Sequence, residues 1–219
     1  MHFDPRIEKE ETLELMNLYL PIRGQILARL EEFRILWDKG SDEDLFRELV
    51  FCLLTPQSRA KICWKAVQRL ERKCMLNETV PHSVQEELTG VRFSQKKSEY
   101  ICLAGKMFSN KSLRSTLSSF NTSSVAREWL VMNIKGLGYK EASHFLRNIG
   151  LGEELAILDR HILKNLSFFG VIEIVPSSLS KKTYMEIEQK MKEFSERIDI
   201  PMGHLDLLLW YKEAGEVFK

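Results

Sequence analysis

Lys140 and Asp159 stand nineteen positions apart, and each falls where a helix is expected to start. Lys140 follows Gly136-Leu137-Gly138, which separates two amphipathic stretches. Residues 125–132 carry apolar Val125, Trp129 and Met132, and residues 139–149 carry Ala142, Phe145, Leu146 and Ile149 on one stripe. So short a turn makes a tight helix-to-helix corner, and glycine permits the positive φ that such a corner needs. The first N–H groups of the second helix then point outward with the positive end of its dipole behind them, so an anion such as a phosphate is the natural guest. From Lys140 that helix runs about ten residues, or ~15 Å. Gly150 and Gly152 stop it, and the apolar run 155–158 is long enough to return over the same distance. Asp159 then takes the N-cap position ahead of an expected helix over 160–169. The spacing predicts a lysine and an aspartate on the same side, each at a helix N-terminus, where the dipole favours a carboxylate anion and disfavours a cationic amine. A neutral amine is a nucleophile, and a neighbouring carboxylate can stabilise developing positive charge or move a proton. Each feature has an ordinary alternative: the corner as mere packing, the lysine as a solvated charge, the aspartate as a simple cap.

Ile134-Lys135-Gly136-Leu137-Gly138-Tyr139-Lys140-Glu141-Ala142, followed by Leu158-Asp159-Arg160-His161, resembles the helix-hairpin-helix-Gly/Pro-Asp superfamily of DNA base-excision glycosylases. Within it the likeness is to the compact, second-type 8-oxoguanine DNA glycosylase family. The motif occupies residues 133–161, and the order of helices around it extends the likeness to most of the chain. Lys135 stands where many relatives carry proline, and Ile157-Leu158 replaces the Gly/Pro pair before the aspartate; neither departure touches a reactive side chain.

The resemblance implies an all-α fold of two helical subdomains with an active-site cleft between them. Residues 41–152 would form a central domain carrying the hairpin and Lys140, and residues 1–40 together with 153–219 a second one carrying Asp159. It implies a bifunctional DNA repair enzyme acting on double-stranded DNA containing 8-oxoguanine. The damaged nucleotide is flipped out of the duplex at a cost of a few kcal/mol. The Lys140 amine attacks the sugar C1′, displaces the base and forms a Schiff base, and β-elimination then nicks the strand 3′ to the abasic site. Asp159 stabilises charge on the sugar and assists proton transfer. Gly136, Gly138 and His161 would hold the DNA backbone, unless His161 merely lines its helix. Gln57 would fill the gap left by the flipped base, or be a plain loop glutamine. Phe93 and Trp210 would stack on the base, or belong to the core. The main-chain carboxylate of Lys219 would help recognise the lesion, or end a frayed tail. No cofactor and no metal ligand are expected, although a hairpin of this type can bind a monovalent cation through its carbonyls.

A chain of 219 residues, 44% hydrophobic, can bury a core as one domain or two small ones. Net charge is only +1, but its distribution is uneven. Residues 1–50 hold seven basic against twelve acidic residues, whereas residues 91–140 hold nine against two, or +7, leading into the hairpin. A phosphate track accounts for that run more simply than a solvated face. Cys52, Cys63, Cys74 and Cys102 lack Cys-x-x-Cys spacing and read as reduced core thiols. All four precede the hairpin, so the C-terminal four-cysteine iron–sulfur loop of some glycosylases is not expected. There is no membrane-length apolar run and no visible secretory signal; the reduced cysteines point to an intracellular location, in the cytoplasm or nucleoid, and a monomer is expected.

The remaining elements read as helices. Residues 8–20 and 22–37 are separated or kinked at Pro21. Ser41-x-x-Asp44 is a capping box opening 42–54, and Thr55-Pro56-Gln57 interrupts before a helix from Ser58 to 73. Ser83-x-x-Glu86 caps a short helix, Phe93-Ser94 precedes one running to 108, and the serine-rich 109–124 holds another. Residues 171–176 read as briefly extended, with helices over 180–198 and 202–215. Competing functions are a glycosylase for another oxidised base, a non-catalytic helix-hairpin-helix module that tethers a complex to DNA, and a helical interaction domain. A lysine–aspartate pair is superfluous to the tethering module, and the +7 stretch speaks against an interaction domain with no nucleic-acid role.

Overall fold

The computed structural model describes residues 5–219, with side chains from residue 13 onward. Eleven helices and no strand are present among the described residues. In chain order they are α1 (Pro5–Lys39), α2 (Asp42–Leu54), α3 (Ala60–Arg72), α4 (Pro81–Glu87), α5 (Ser94–Phe108), α6 (Leu113–Ser118), α7 (Ser123–Asn133), α8 (Tyr139–Asn148), α9 (Arg160–Phe168), α10 (Lys181–Arg197) and α11 (Met202–Ala214). The chain divides into two compact units. One is Phe33–Gly152, and the other joins the N-terminal segment through Glu32 to Glu153–Lys219, so one division lies inside α1 rather than after it.

In the Phe33–Gly152 unit α2 is central. Leu45, Phe46, Leu49, Val50, Phe51, Leu53 and Leu54 are all buried, so apolar surface runs right round this helix, as an enclosed element requires. It packs against α3, α5, α6 and α8. Its start follows from the capping box: Asp44 N–H donates to Ser41 Oγ at 3.1 Å, and Ser41 N–H donates back to Asp44 Oδ2 at 2.8 Å. In the other unit the buried run is the first part of α11, Met202 to Leu209, packed on α9 and α10. Tyr19 of α1 reaches into this unit, its hydroxyl 2.7 Å from His204 Nδ1.

Several expectations are corrected. Pro21 neither ends nor separates a helix, because α1 continues through it. Leu15, Tyr19, Ile22, Ile26, Leu30 and Phe33 form one continuous buried stripe across the proline, and that burial outweighs one lost backbone hydrogen bond. The short helix α4 starts at Pro81, in the first-turn position that suits proline, and not at Ser83. Residues 171–174 form bends and 175–176 are irregular, so no extended segment is present there. Cys52, Cys63 and Cys102 are buried, and burial raises their thiols, that of Cys63 to about 11. Cys74, in contrast, is exposed. It occupies the left-handed position (φ 55) that closes α3, where Met75 N–H returns to the Leu70 carbonyl at 2.8 Å. No helix among the described residues is long and apolar enough to cross a membrane.

Pro21 is exposed in mid-helix, so Pro21→Ala restores a hydrogen bond without disturbing packing. It should stabilise the protein by about 1–3 kcal/mol, read as a higher urea midpoint. Ser41→Ala should cost about 1 kcal/mol in the same measurement through loss of the cap.

Candidate active site

The corner between α7 and α8 is set by one residue. Gly136 has φ +96, and a Cβ there would lie 2.3 Å from Cδ2 of Tyr100, so both conformation and space require glycine. Leu137 N–H donates to the Ile134 carbonyl at 3.2 Å, and Gly138 (φ −94) becomes the N-cap of α8 in extended geometry. No side chain caps α8, so the amides of its first turn stay available to an anion. The two arms are fastened by buried and half-buried polar contacts. Arg127, 1% exposed, donates through Nη1 to Ser143 Oγ at 3.1 Å, and its guanidinium lies 5.8 Å from the Tyr139 ring centroid. Tyr139 in turn donates to Glu128 Oε2 at 2.9 Å. Asn148 Nδ2 donates to the buried Glu48 Oε2 at 3.2 Å, joining α8 to α2. Past the end of α8, Gly150 (φ +77) passes so close to Phe33 and Arg34 that a Cβ would meet the Arg34 Cα at 2.8 Å.

Lys140 lies in the first turn of α8 with its side chain 24% exposed and Nζ 3.1 Å from Glu141 Oε1. Its charge is felt by Cys63 and Lys97, which places it on the side of the unit where α3 and α5 begin. Lys97 was not among the sequence candidates. It is 4% exposed, and its Nζ donates to the Leu54 and Pro56 carbonyls at 2.7 Å each and to Ser58 Oγ at 3.1 Å. The available signal was its register: Lys97 falls on the same stripe as Ile101 and Ala104, the buried face of α5.

Asp159 is the N-cap of α9, accepting the Ile162 N–H on Oδ1 at 2.8 Å. The apolar run before it is buried, and its backbone is satisfied by α10 instead of a neighbouring strand. Ala156 N–H donates to Glu188 Oε2 at 2.8 Å, while Tyr184 Oη donates to the Ala156 carbonyl at 2.6 Å. His161 is exposed on the first turn of α9, with Nδ1 3.3 Å from Glu213 Oε2 and its ring edge-on to Trp210 at 5.5 Å. Asn165 donates to the same carboxylate at 3.1 Å. Burial works to raise Glu213, but the hydrogen bonds of Asn165 and His161 and their charge environment bring it below the usual carboxylate value. Trp210 is half-buried, and its Nε1 is buried without a hydrogen-bond partner among the described residues. Glu216–Lys219 follow α11 as a half-buried segment.

Gln57 and Phe93 are both exposed, and both hold left-handed backbone (φ 55 and 58), which costs a side-chain-bearing residue of order 1–3 kcal/mol. Arg92 covers the Phe93 ring at 5.7 Å. Lys140, Gly136, Gly138, Gln57 and Phe93 thus belong to the Phe33–Gly152 unit, and Asp159, His161, Trp210 and Lys219 to the other. The basic run over 91–140 is only partly a surface track. Lys97 and Arg127 are buried, and Arg114 is turned onto the carbonyls of Trp37 and Gly40. Arg92, Lys96, Lys106, Lys111 and Lys135 remain exposed. No cluster of three or more His, Cys, Asp or Glu side chains suited to a metal ion occurs among the described residues.

Comparison with known proteins identifies the family. The family model described as 8-oxoguanine DNA glycosylase matches residues 26–200. The 8-oxoguanine DNA glycosylase/AP lyase of Fusobacterium nucleatum is 44% identical over 209 residues, covering 94% of this chain and 96% of that protein. The enzyme of the same name from Korarchaeum cryptofilum is also 44% identical, over 94% of this chain and 98% of its own length. Among solved structures, the 8-oxoguanine DNA glycosylase of Thermotoga maritima superposes with a TM-score of 0.87 at 35% identity, covering 97% of this chain and 100% of that one. The Methanocaldococcus jannaschii 8-oxoguanine glycosylase/lyase, in complex with a 15mer DNA containing 8-oxoguanine, gives 0.85 at 37% identity over 96% and 98%. With its corner, its lysine and its aspartate carried on a chain that matches these proteins nearly end to end, the protein belongs to the 8-oxoguanine DNA glycosylase family.

Proposed function

We propose that this protein excises 8-oxoguanine from double-stranded DNA and then nicks the strand, with Lys140 as nucleophile and Asp159 as its electrostatic and proton-transfer partner. The supporting observation is the open first turn of α8: a half-buried lysine amine stands beside uncapped amides, behind a corner that one glycine dictates. Relatives named for both activities, glycosylase and AP lyase, match the chain almost end to end.

The chemistry follows from these groups. A phosphate held at the α8 N-terminus anchors the strand without reading bases. The Lys140 amine must leave its contact with Glu141 and lose its proton before it can attack. The new N–C1′ bond forms as the bond from C1′ to the base breaks, and the base leaves with the electron pair. The nitrogen lone pair then forms the C1′=N bond of the Schiff base as the C1′–O4′ bond breaks, O4′ taking a proton and staying on C4′ as a hydroxyl, and removal of a C2′ proton expels the 3′ phosphate. Asp159 stabilises the positive charge that builds on the sugar and relays protons, using the oxygen that does not cap α9. His161 donates to a phosphate, Gln57 fills the vacated stack, Phe93 and Trp210 contact the lesion base, and Lys219 helps discriminate it from guanine. No step requires a metal; a monovalent cation at the corner carbonyls would serve backbone binding alone. The enzyme acts as a single chain inside the cell, in the cytoplasm or nucleoid.

Borohydride trapping on a duplex with a single 8-oxoguanine tests the assignment. Wild type should give a covalent adduct and a nicked strand, and Lys140→Gln should bind the duplex without trapping. Trapping by the substituted protein at the wild-type level removes Lys140 from the role. Asp159→Asn separates charge from cap, because asparagine caps as well as aspartate. It should slow base release at least about 100-fold with the melting temperature nearly unchanged; undiminished release reduces Asp159 to a cap. Deleting Lys219 should narrow the preference for the lesion over guanine in competition binding, and an unchanged preference excludes Lys219 from recognition.

A further inference from the structure

The turn between α2 and α3 rests on a buried ammonium group. Lys97 Nζ grips both sides of Gln57: the Leu54 and Pro56 carbonyls before it and the Ser58 hydroxyl after it. Leu54 ends α2, so the lysine also sits at the negative end of that helix, where orphan carbonyls need donors and a cation is favoured. Cys63 Sγ donates to the same Leu54 carbonyl at 3.1 Å. No carboxylate pairs with Lys97 among the described residues, which makes its burial costly for packing alone. Ser58 Oγ accepts a second hydrogen bond, from the Arg92 N–H at 3.0 Å, one residue before Phe93. The two left-handed, side-chain-bearing turns that hold Gln57 and Phe93 are therefore bolted together through Ser58 and Lys97.

We propose that Lys97 is a positioning residue for strand opening: it fixes the backbone at Gln57 so that this side chain is presented to the duplex, and it locks that turn to the one carrying Phe93. This rests on the reading above in which Gln57 occupies the space of the flipped base. Lys97 touches no reacting atom in this role; it acts through Gln57.

Titration supports the assignment. Burial brings Lys97 down to about 8; Cys63 of α3 and Glu141 of α8 oppose the fall, while Lys140 of α8 and Arg92 add to it. Above that pH a neutral amine has two hydrogens for three oxygens, so the grip on the turn loosens.

A double-substitution cycle in single-turnover base release from an 8-oxoguanine duplex tests this, with circular dichroism as the check on folding. Lys97→Met keeps the length and removes the donors. It should slow release roughly tenfold or more, as expected when a working group is displaced by a fraction of an ångström to about 1 Å. Gln57→Ala should also slow release, and the combined variant should be no slower than Lys97→Met alone, since the two act in series. The advantage of wild type over Lys97→Met should shrink as pH rises through 8, which loss of packing would not produce. Multiplicative effects, or Lys97→Met as fast as wild type while Gln57→Ala is slow, overturn the role of Lys97. A Gln57→Ala protein as fast as wild type instead overturns the placing of Gln57 in the duplex, and this inference with it. If Lys97→Met does not fold, Ser58→Ala at its half-buried site enters the same cycle: non-additivity with Gln57→Ala supports the bolt, and additivity or no effect overturns it.

Discussion

The α7–α8 corner depends on the absence of one carbon atom. At Gly136 any side chain would combine a disfavoured φ with a collision against Tyr100. That close approach turns the chain tightly enough for α8 to start without a side-chain cap, leaving amides open beside Lys140. The corner holds its shape because the arms behind it are joined by polar groups, Arg127 to Ser143 inside the core and Tyr139 to Glu128 at its half-buried edge. Buried polar contacts specify geometry more sharply than apolar packing, since a small displacement leaves a donor unsatisfied. A lysine in the first turn of α8 is thereby given a fixed origin.

An all-helical fold has many chain reversals, and each leaves carbonyls that no helix or sheet can serve. Here long basic side chains serve several of them. Lys97 covers the end of α2, Arg69 donates to the Glu87 carbonyl at 2.6 Å, and Arg114 donates to the Gly40 carbonyl at 2.6 Å. The same logic applies to the run before Asp159, where Tyr184 and Glu188 of α10 replace a missing strand partner. Positive charge in this protein therefore divides between holding turns and facing solvent, and a count along the chain does not separate the two uses.

In the proposed mechanism Asp159 serves fold and chemistry together. One carboxylate oxygen ends the orphaned amide of Ile162 and defines the start of α9. Because the cap fixes the rotamer, the second oxygen is held in a set direction at little further entropic cost. Beside it, His161 is oriented by Glu213 and Trp210, so the exposed first turn of α9 is a prepared surface and not a loose one.

The start of α2, the α7–α8 corner and the cap at Asp159 were legible along the chain because each is a contact among residues a few positions apart. A serine that receives an amide three residues on, or a glycine that turns a helix, carries its reason in its neighbours. The helical class and the placing of Lys140 and of Asp159 each at a helix start follow from the same local signals, and the motif around them was specific enough to indicate the family. Tertiary structure decided what depended on distant partners. Pro21 stays inside α1 because a buried stripe on both sides of it outweighs one missing hydrogen bond, and Cys74 is exposed because a helix end needed a left-handed residue there. Lys97 and Arg127 read as surface charges until the packed helices surround them with acceptors. Backbone preferences and caps act over one turn of chain, whereas the burial of a charge is settled only by the oxygens that other helices bring to it.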